Sequence, residues 1–443
     1  MGWHTTDVNR QRLARFAALA LSLLLLDLWQ WGALGRSRVP LRLAALRALT
    51  ATTAPPHTAP WTPSAAQFAS TETCSGSDAH AASPAGLARK RRNVARMEAL
   101  DRAGGGGAYL LAAQDPLRAP CGAGLVAGID PARLPGVYAD IGACLALATA
   151  VPVTRFCEER TLFHTFWAGR PVAAQTAWAL AAFLATQDPQ QAILWVWSRD
   201  AAALAADPLL ARLAPPNASS RIVFKQWDAA REAAGTVLAA PAFTRAQDPT
   251  FYLDSDLLRV VALWRYGGVF FDADVLLLRD LGPLLGGEWA YQWGAHCSWA
   301  NNAVVRVRAR SALAGRLVAA VASARAPRKG STAWGREAWA RAGNFTRLPV
   351  CFFNPTWLTN FEGAAASLSH RAHPGRWRGA FAFHLHGHVY KHGPGAHPRS
   401  EYVAARRELL QLLAARQAAG GAEGWGVPQG AVEALQATLP PLP

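Results

Sequence analysis

The stretch from Phe251 to Leu281, FYLDSDLLRVVALWRYGGVFFDADVLLLRDL, constrains the fold more than any other part of the chain. Leu257, Leu258, Val261 and Trp264 recur at helical spacing and make one apolar stripe. Gly267 and Gly268 then supply the left-handed C-terminal cap that a Cβ would oppose, so the helix is predicted to stop there. Val269-Phe270-Phe271 starts a strand, and Asp272-Ala273-Asp274 follows at its end. Because successive strand side chains point to opposite faces, Asp272 and Asp274 are predicted to share one face. Two carboxylates so placed suit a hard cation, Mn²⁺ or Mg²⁺.

A second D-x-D, Asp254-Ser255-Asp256, lies on the helix, and neither short motif is specific alone. Context raises the signal: Asp256 and Arg259 stand one turn apart before the glycines and the acid pair. On an exposed helix such a pair contributes only about 0.2–0.5 kcal/mol, whereas beside an acidic cluster it reads as part of a site. Upstream, Thr161–Trp167 (TLFHTFW) and Ala192–Trp197 (AILWVW) read as buried strands, with a helix over Pro171–Thr186 between them and a third strand at Arg221–Phe224. Strand, helix, strand in one sheet makes a right-handed crossover, and ligands in such sheets sit at the carboxyl ends of the strands, where Trp167 falls.

The 443 residues are 51% hydrophobic and only 17% charged, which excludes disorder over most of the chain. The formal charge of +16 suits an anionic partner. No zinc-finger spacing or ribonucleoprotein signature occurs, so nucleic acid is not the expected one. Cysteines at 74, 121, 144, 157, 297 and 351 include no Cys-x-x-Cys pair, which leaves lumenal disulfides as the plausible use. Residues Phe16–Leu34 can cross a bilayer as one helix, with Arg10, Arg12 and Arg15 before them and Trp29 and Trp31 near the far end. The expected organisation is a cytoplasmic tail (1–15), a signal anchor (16–34), a stem and unassigned region (35–154), a catalytic domain (155–418) and a C-terminal tail (419–443). The alternative reading of the amino terminus is an organellar presequence, since Trp29–Thr71 contains no acid.

From residue 161 to about 415 the chain resembles the DxD-containing α-glycosyltransferase family that includes lactosylceramide 4-α-galactosyltransferase, yeast initiating α-1,6-mannosyltransferase and, more distantly, the large clostridial glucosylating toxins. The resemblance rests on LFHTFWAG, on SDLLRVVALWRYGGVFFDADVLLLRDL, on Asn301-Asn302-Ala303-Val304-Val305 and on the late His-rich segment. It implies a GT-A fold, α/β and Rossmann-like, behind the anchor. It implies that Trp167 stacks on the nucleotide base, that Asp256 and Arg259 hold donor-sugar hydroxyls, that Asp272 contacts ribose or sugar, and that Asp274 ligates the metal. Asp272 and Asp274 are then the catalytic pair. Within FHLHGHVYK, His384 is expected at the donor, His386 as a further metal ligand, and Lys391 at a phosphate. The family often has Trp where this chain has His386 or His388. The implied activity is metal-dependent, retaining transfer of a hexose, galactose first, from a nucleotide sugar, first of all a UDP-linked one, to a glycolipid or glycoprotein glycan. GDP-mannose is the alternative donor, and a silent sugar-nucleotide-binding or lectin-like protein is the alternative class. The implied setting is a Golgi membrane with the catalytic domain in the lumen, to which the sequons at Asn217 and Asn344 conform.

Overall fold

A computed structural model of the chain describes residues 141–168, 172–215, 221–245, 251–292, 300–324, 334–343, 345–355, 377–385, 399–423 and 425–439, and part of 88–122. All belong to the second of two compact units, Pro63–Pro443. The anchor read at 16–34 lies outside the described residues, as does the tail before it. Among the described residues no helix is long and apolar enough to cross a membrane.

The fold is mixed α/β with a large, mostly parallel sheet. Its strands in chain order are β1 (Thr161–Phe166), β2 (Ala192–Ser198), β3 (Ile222–Gln226), β4 (Gly268–Phe271), β5 (Val275–Leu277), β6 (Trp289–Gln292), β7 (Ala300–Val307), β8 (Thr346–Leu348) and β9 (Ala382–His384). Seven of them form one sheet in the order 3-2-1-4-7-6-8, and β5 pairs with β9 apart from it. β3, β2, β1 and β4 are all parallel, whereas β7 runs antiparallel to both β4 and β6. The helices that matter here are α1 (Ile141–Ala150), α2 (Ala174–Thr186), α3 (Tyr252–Tyr266), α4 (Ala312–Ala322), α5 (Arg336–Ala342), α6 (Arg399–Glu423) and α7 (Ala431–Gln436).

Two apolar cores, one on each face, hold the sheet between helices. Strand alternation divides the side chains: Val269 and Phe271 enter the core shared with α2, and Phe270 enters the core shared with α3. α2 is buried from Thr176 to Thr186 because its many alanines let it lie close to the strands, where Phe183 meets Phe163 edge to face at 5.2 Å.

The folded unit extends past the boundaries read from sequence at both ends. Ile141, Cys144, Leu145 and Ala148 of α1 are buried in the α2-side core, and disulfides join Cys144 to Cys351 and Cys121 to Cys157. At the other end Trp425, Ala431 and Leu435 are fully buried, Trp178 Nε1 donates to Thr438 Oγ1 at 2.9 Å, and Arg221 donates to the Trp425 carbonyl at 3.3 Å. α1 hid from the sequence because IGACLALATA is apolar all round and carries no helical stripe.

The Gly267-Gly268 turn is where α3 meets the sheet. Gly267 has φ +67° and Gly268 φ +100°, and a Cβ on Gly268 would collide with the Leu162 carbonyl of β1. His164 of β1 secures the same turn. The Trp197 indole N–H donates to its Nδ1 at 3.2 Å, so Nε2–H donates to the Gly267 carbonyl at 2.9 Å. Burial holds the His164 pKa down to about 4 against the Gly267 bond, which raises it. Elsewhere, the buried Asp280 accepts from the Asp188 and Gly282 backbone N–H groups, and burial pushes its carboxyl up to about 7.

These two groups act oppositely on stability. Between pH 4 and 6.5 the unfolded state binds the His164 proton more readily than the folded state, so stability rises with pH. Between pH 3.8 and 7 the folded state binds the Asp280 proton more readily, so stability falls with pH. Asp280→Asn removes the second trend. Its melting temperature, followed from pH 4 to 6.5, is expected to climb more steeply than that of the wild type; an identical slope would refute the Asp280 assignment.

Candidate active site

β1 and β4 are parallel neighbours, so Trp167 and Asp272 leave the sheet at the same edge. Trp167 is half-buried against the α2-side core, and its backbone N–H donates to the Trp197 carbonyl at 3.0 Å. Beyond β4 the chain stays tied to β7, because the Asp272 N–H donates to the Ala303 carbonyl at 2.8 Å. It then turns, with the Val275 N–H donating to the Asp272 carbonyl at 3.0 Å.

Residues 272–274 are therefore a turn rather than the pleated strand end expected from alternation. The carboxylates converge all the same, because the turn folds Asp274 back and the β5–β9 ladder then fixes it. That ladder sets Val275 opposite His384, and the Leu385 N–H donates to the Asp274 carbonyl at 3.0 Å. His384 Nε2 consequently lies 3.5 Å from Asp274 Oδ1. One ligand atom from each of Asp272, Asp274 and His384 lies within 4.8 Å of the other two.

Arg259 joins this group to α3. Its guanidinium donates to Asp256 Oδ1 at 2.8 Å and to Asp272 Oδ1 at 2.6 Å, and it lies over the Phe270 ring at 4.5 Å. The Asp256–Arg259 pair is thus not a solvated surface pair: the Arg259 side chain is 5% exposed. Burial pushes the Asp272 carboxyl above the usual range; Arg259 pulls it back, and the neighbouring Asp274 pushes it further up. Gly335, just before α5, abuts Asp256: a Cβ there would stand 3.4 Å from Asp256 Oδ1 and 2.9 Å from Asn302 Nδ2.

The structure thus brings Asp256, Arg259, Asp272, Asp274 and His384 together, with Trp167 on the same edge. His384, read from sequence as a donor contact, stands where a metal ligand would. His386, read as that ligand, and Lys391 lie outside the described residues. Two residues had no assigned role. Tyr291 of β6 is fully buried with Oη 2.8 Å from His384 Nδ1, and burial, then the Asp272 and Asp274 charges, push its hydroxyl well above its usual pKa. Asn301 accepts the Ala303 N–H on Oδ1 at 2.8 Å, while its buried Nδ2 has no partner among the described residues. No local signal marks Tyr291, because WAYQ reads as ordinary core strand.

Arg259→Lys should show how far the site depends on the guanidinium fork, since an ammonium is a point charge and cannot hold both carboxylates in their present geometry. The expected loss is about 1–2 kcal/mol in urea unfolding. A stability equal to the wild type would mean that the two bonds add nothing.

Residues 185–296 match the family described as the glycosyltransferase sugar-binding region containing the DXD motif. This span holds Asp256, Arg259, Asp272, Asp274 and Tyr291. No curated protein matches the chain significantly. Among solved structures the chain is similar to one titled PaToxG Glycosyltransferase, at 13% identity and a TM-score of 0.30, over 67% of this chain and 93% of that one. Residues 185–296 are thus similar to a DXD-containing sugar-binding region, and this match supports a glycosyltransferase.

Proposed function

We propose that the chain is a metal-dependent, retaining glycosyltransferase that moves a hexose, galactose first, from a UDP-linked sugar to a glycolipid or glycoprotein glycan as an α-glycoside. The observation that carries the reading is the convergence of Asp272, Asp274 and His384 at the edge where the parallel strands end, with both acids inside the matched DXD region.

The donor set suits Mn²⁺ or Mg²⁺. Two carboxylates and an imidazole are hard or borderline ligands, and ligands about 2.0–2.2 Å from one ion stand up to about 4.4 Å apart, close to the spacing here. Asp274, Asp272 and His384 would hold the ion, with His386 as a further ligand by its place in the closing segment, where the family often has Trp instead. When bound, such an ion would supply Lewis-acid stabilisation of the charge developing on the nucleotide leaving group.

The chain's own residues do the rest. Trp167 offers its indole face to the base. Arg259 keeps the Asp256 and Asp272 carboxylates in fixed positions, from which they would meet donor hydroxyls. Lys391 would meet a phosphate as a point charge. Retention of configuration is carried from the resemblance, so an α-linked donor gives an α-linked product.

We place the domain in the Golgi lumen behind a type II anchor at 16–34. The disulfides Cys121–Cys157 and Cys144–Cys351 support an oxidising compartment.

The test is donor hydrolysis and transfer over a panel of UDP- and GDP-sugars, with Mn²⁺ and then with chelator. Manganese-dependent cleavage of a UDP-hexose is expected; cleavage of GDP-mannose alone would replace the donor assignment, and binding without turnover on any acceptor would favour the silent binder. Asp274→Asn should lower metal-dependent turnover by at least about 100-fold with the fold intact. Trp167→Ala should raise the donor KM about 3- to 10-fold through lost stacking, and an unchanged KM would move the base site elsewhere.

A further inference from the structure

We propose that Tyr291 is a positioning residue whose hydroxyl holds the His384 ring, in either tautomer, with Nε2 aimed at Asp274 and the divalent cation. The proposal rests on the metal reading above and adds to it a residue that touches neither the sugar nor the ion.

The geometry is direct. Tyr291 Oη lies 2.8 Å from His384 Nδ1, and His384 Nε2 lies 3.5 Å from Asp274 Oδ1. The two nitrogens lie on opposite sides of the imidazole, so tying Nδ1 fixes where Nε2 points. Tyr291 cannot swing away: it is fully buried, and its ring stacks on Phe353 at 5.0 Å and 29°, which in turn stacks on Trp289 at 5.2 Å and 27°.

A break in strand register puts it there. Ala290 of β6 pairs with Val305 of β7, but the next residue, Tyr291, pairs with Asn301. Residues 302–304 are thereby released from β6 and lean toward β4, where the Ala303 carbonyl receives the Asp272 N–H. Such irregularities re-aim side chains beside active sites. Here one irregularity tethers Asp272 and turns Tyr291 toward His384.

The choice of a hydroxyl follows from proton positions. Without a cation, Nε2 can carry the proton toward the Asp274 carboxylate, and Nδ1 then accepts from the tyrosine O–H. With a cation, Nε2 must present its lone pair, so the proton sits on Nδ1 and donates to Oη. A hydroxyl both donates and accepts, and the bond survives the exchange. A carbonyl or carboxylate could serve only the second state. Metal-binding histidines are commonly oriented through their other nitrogen, and loss of that partner weakens metal affinity about 10- to 100-fold.

The experiment uses the full-length chain and Mn²⁺ titrated by electron paramagnetic resonance in the presence of UDP. Tyr291→Phe keeps the stacked ring and removes the hydroxyl. Its Mn²⁺ dissociation constant is expected to rise about 10- to 100-fold with the melting temperature unchanged, and adding the change to His384→Gln should cost no further affinity. Unaltered affinity in Tyr291→Phe, with the wild type binding Mn²⁺, overturns the role of Tyr291 alone. No binding by the wild type overturns the metal reading and this proposal with it. Should Tyr291→Phe fail to fold, ¹⁵N-histidine spectra of the wild type decide: adding Mg²⁺ should move the His384 proton from Nε2 to Nδ1, the signal being identified by its loss in His384→Gln. A ring that keeps its proton on Nε2 overturns the proposal.

Discussion

The close approach of the Gly267-Gly268 turn to β1 governs where Asp256, Arg259, Asp272 and Asp274 can stand relative to one another. The Gly268 backbone touches the Leu162 carbonyl with no room for a side chain, and His164 bonds the Gly267 carbonyl from the same strand. α3 is thereby fixed against the sheet at its carboxyl end, and β4 begins in register with β1. Asp256 and Arg259 are carried by that helix, Asp272 and Asp274 by the segment after that strand. A shift at the turn would move the two sets of carboxylates relative to each other, and Arg259 could no longer bridge them.

Electrostatics works against this arrangement. Three carboxylates, Asp256, Asp272 and Asp274, sit at one edge beside the buried Arg259 guanidinium, and burial, against the pull of Arg259 and with the Asp274 charge adding to it, raises the affinity of Asp272 for protons. Like charges brought together at a half-buried site raise one another's pKa, and a bound cation reverses that effect. Arg259 pairs with Asp256 and Asp272. His384 stands on the side of Asp274 where a cation would complete the group.

The sequence was most legible where local rules and tertiary packing agree. The helix, the glycine stop and the strand at 252–271 follow from stripe spacing and from a conformation open to glycine, and no long-range contact was needed to foresee them. The two acids were foreseen together for an incomplete reason: alternation along a strand was expected, and a turn held by β7 and β9 brings them together instead. α1 and the segment from Trp425 onward were missed because their burial depends on distant partners, Cys351 for one and Trp178 and Arg221 for the other.

What the sequence by itself determined is the chemistry at hand: an α/β pattern, a strand ending in two acids, an arginine one turn from a third, and histidines near the end. What only the tertiary structure decided is which of these meet. His384 stands beside Asp274 because β9 pairs with β5 across more than a hundred residues, and Tyr291 reaches His384 because the β6–β7 register breaks at Ala290. Neither event leaves a local trace, since strand pairing is chosen by the fit of whole surfaces and not by the residues that the pairing brings together.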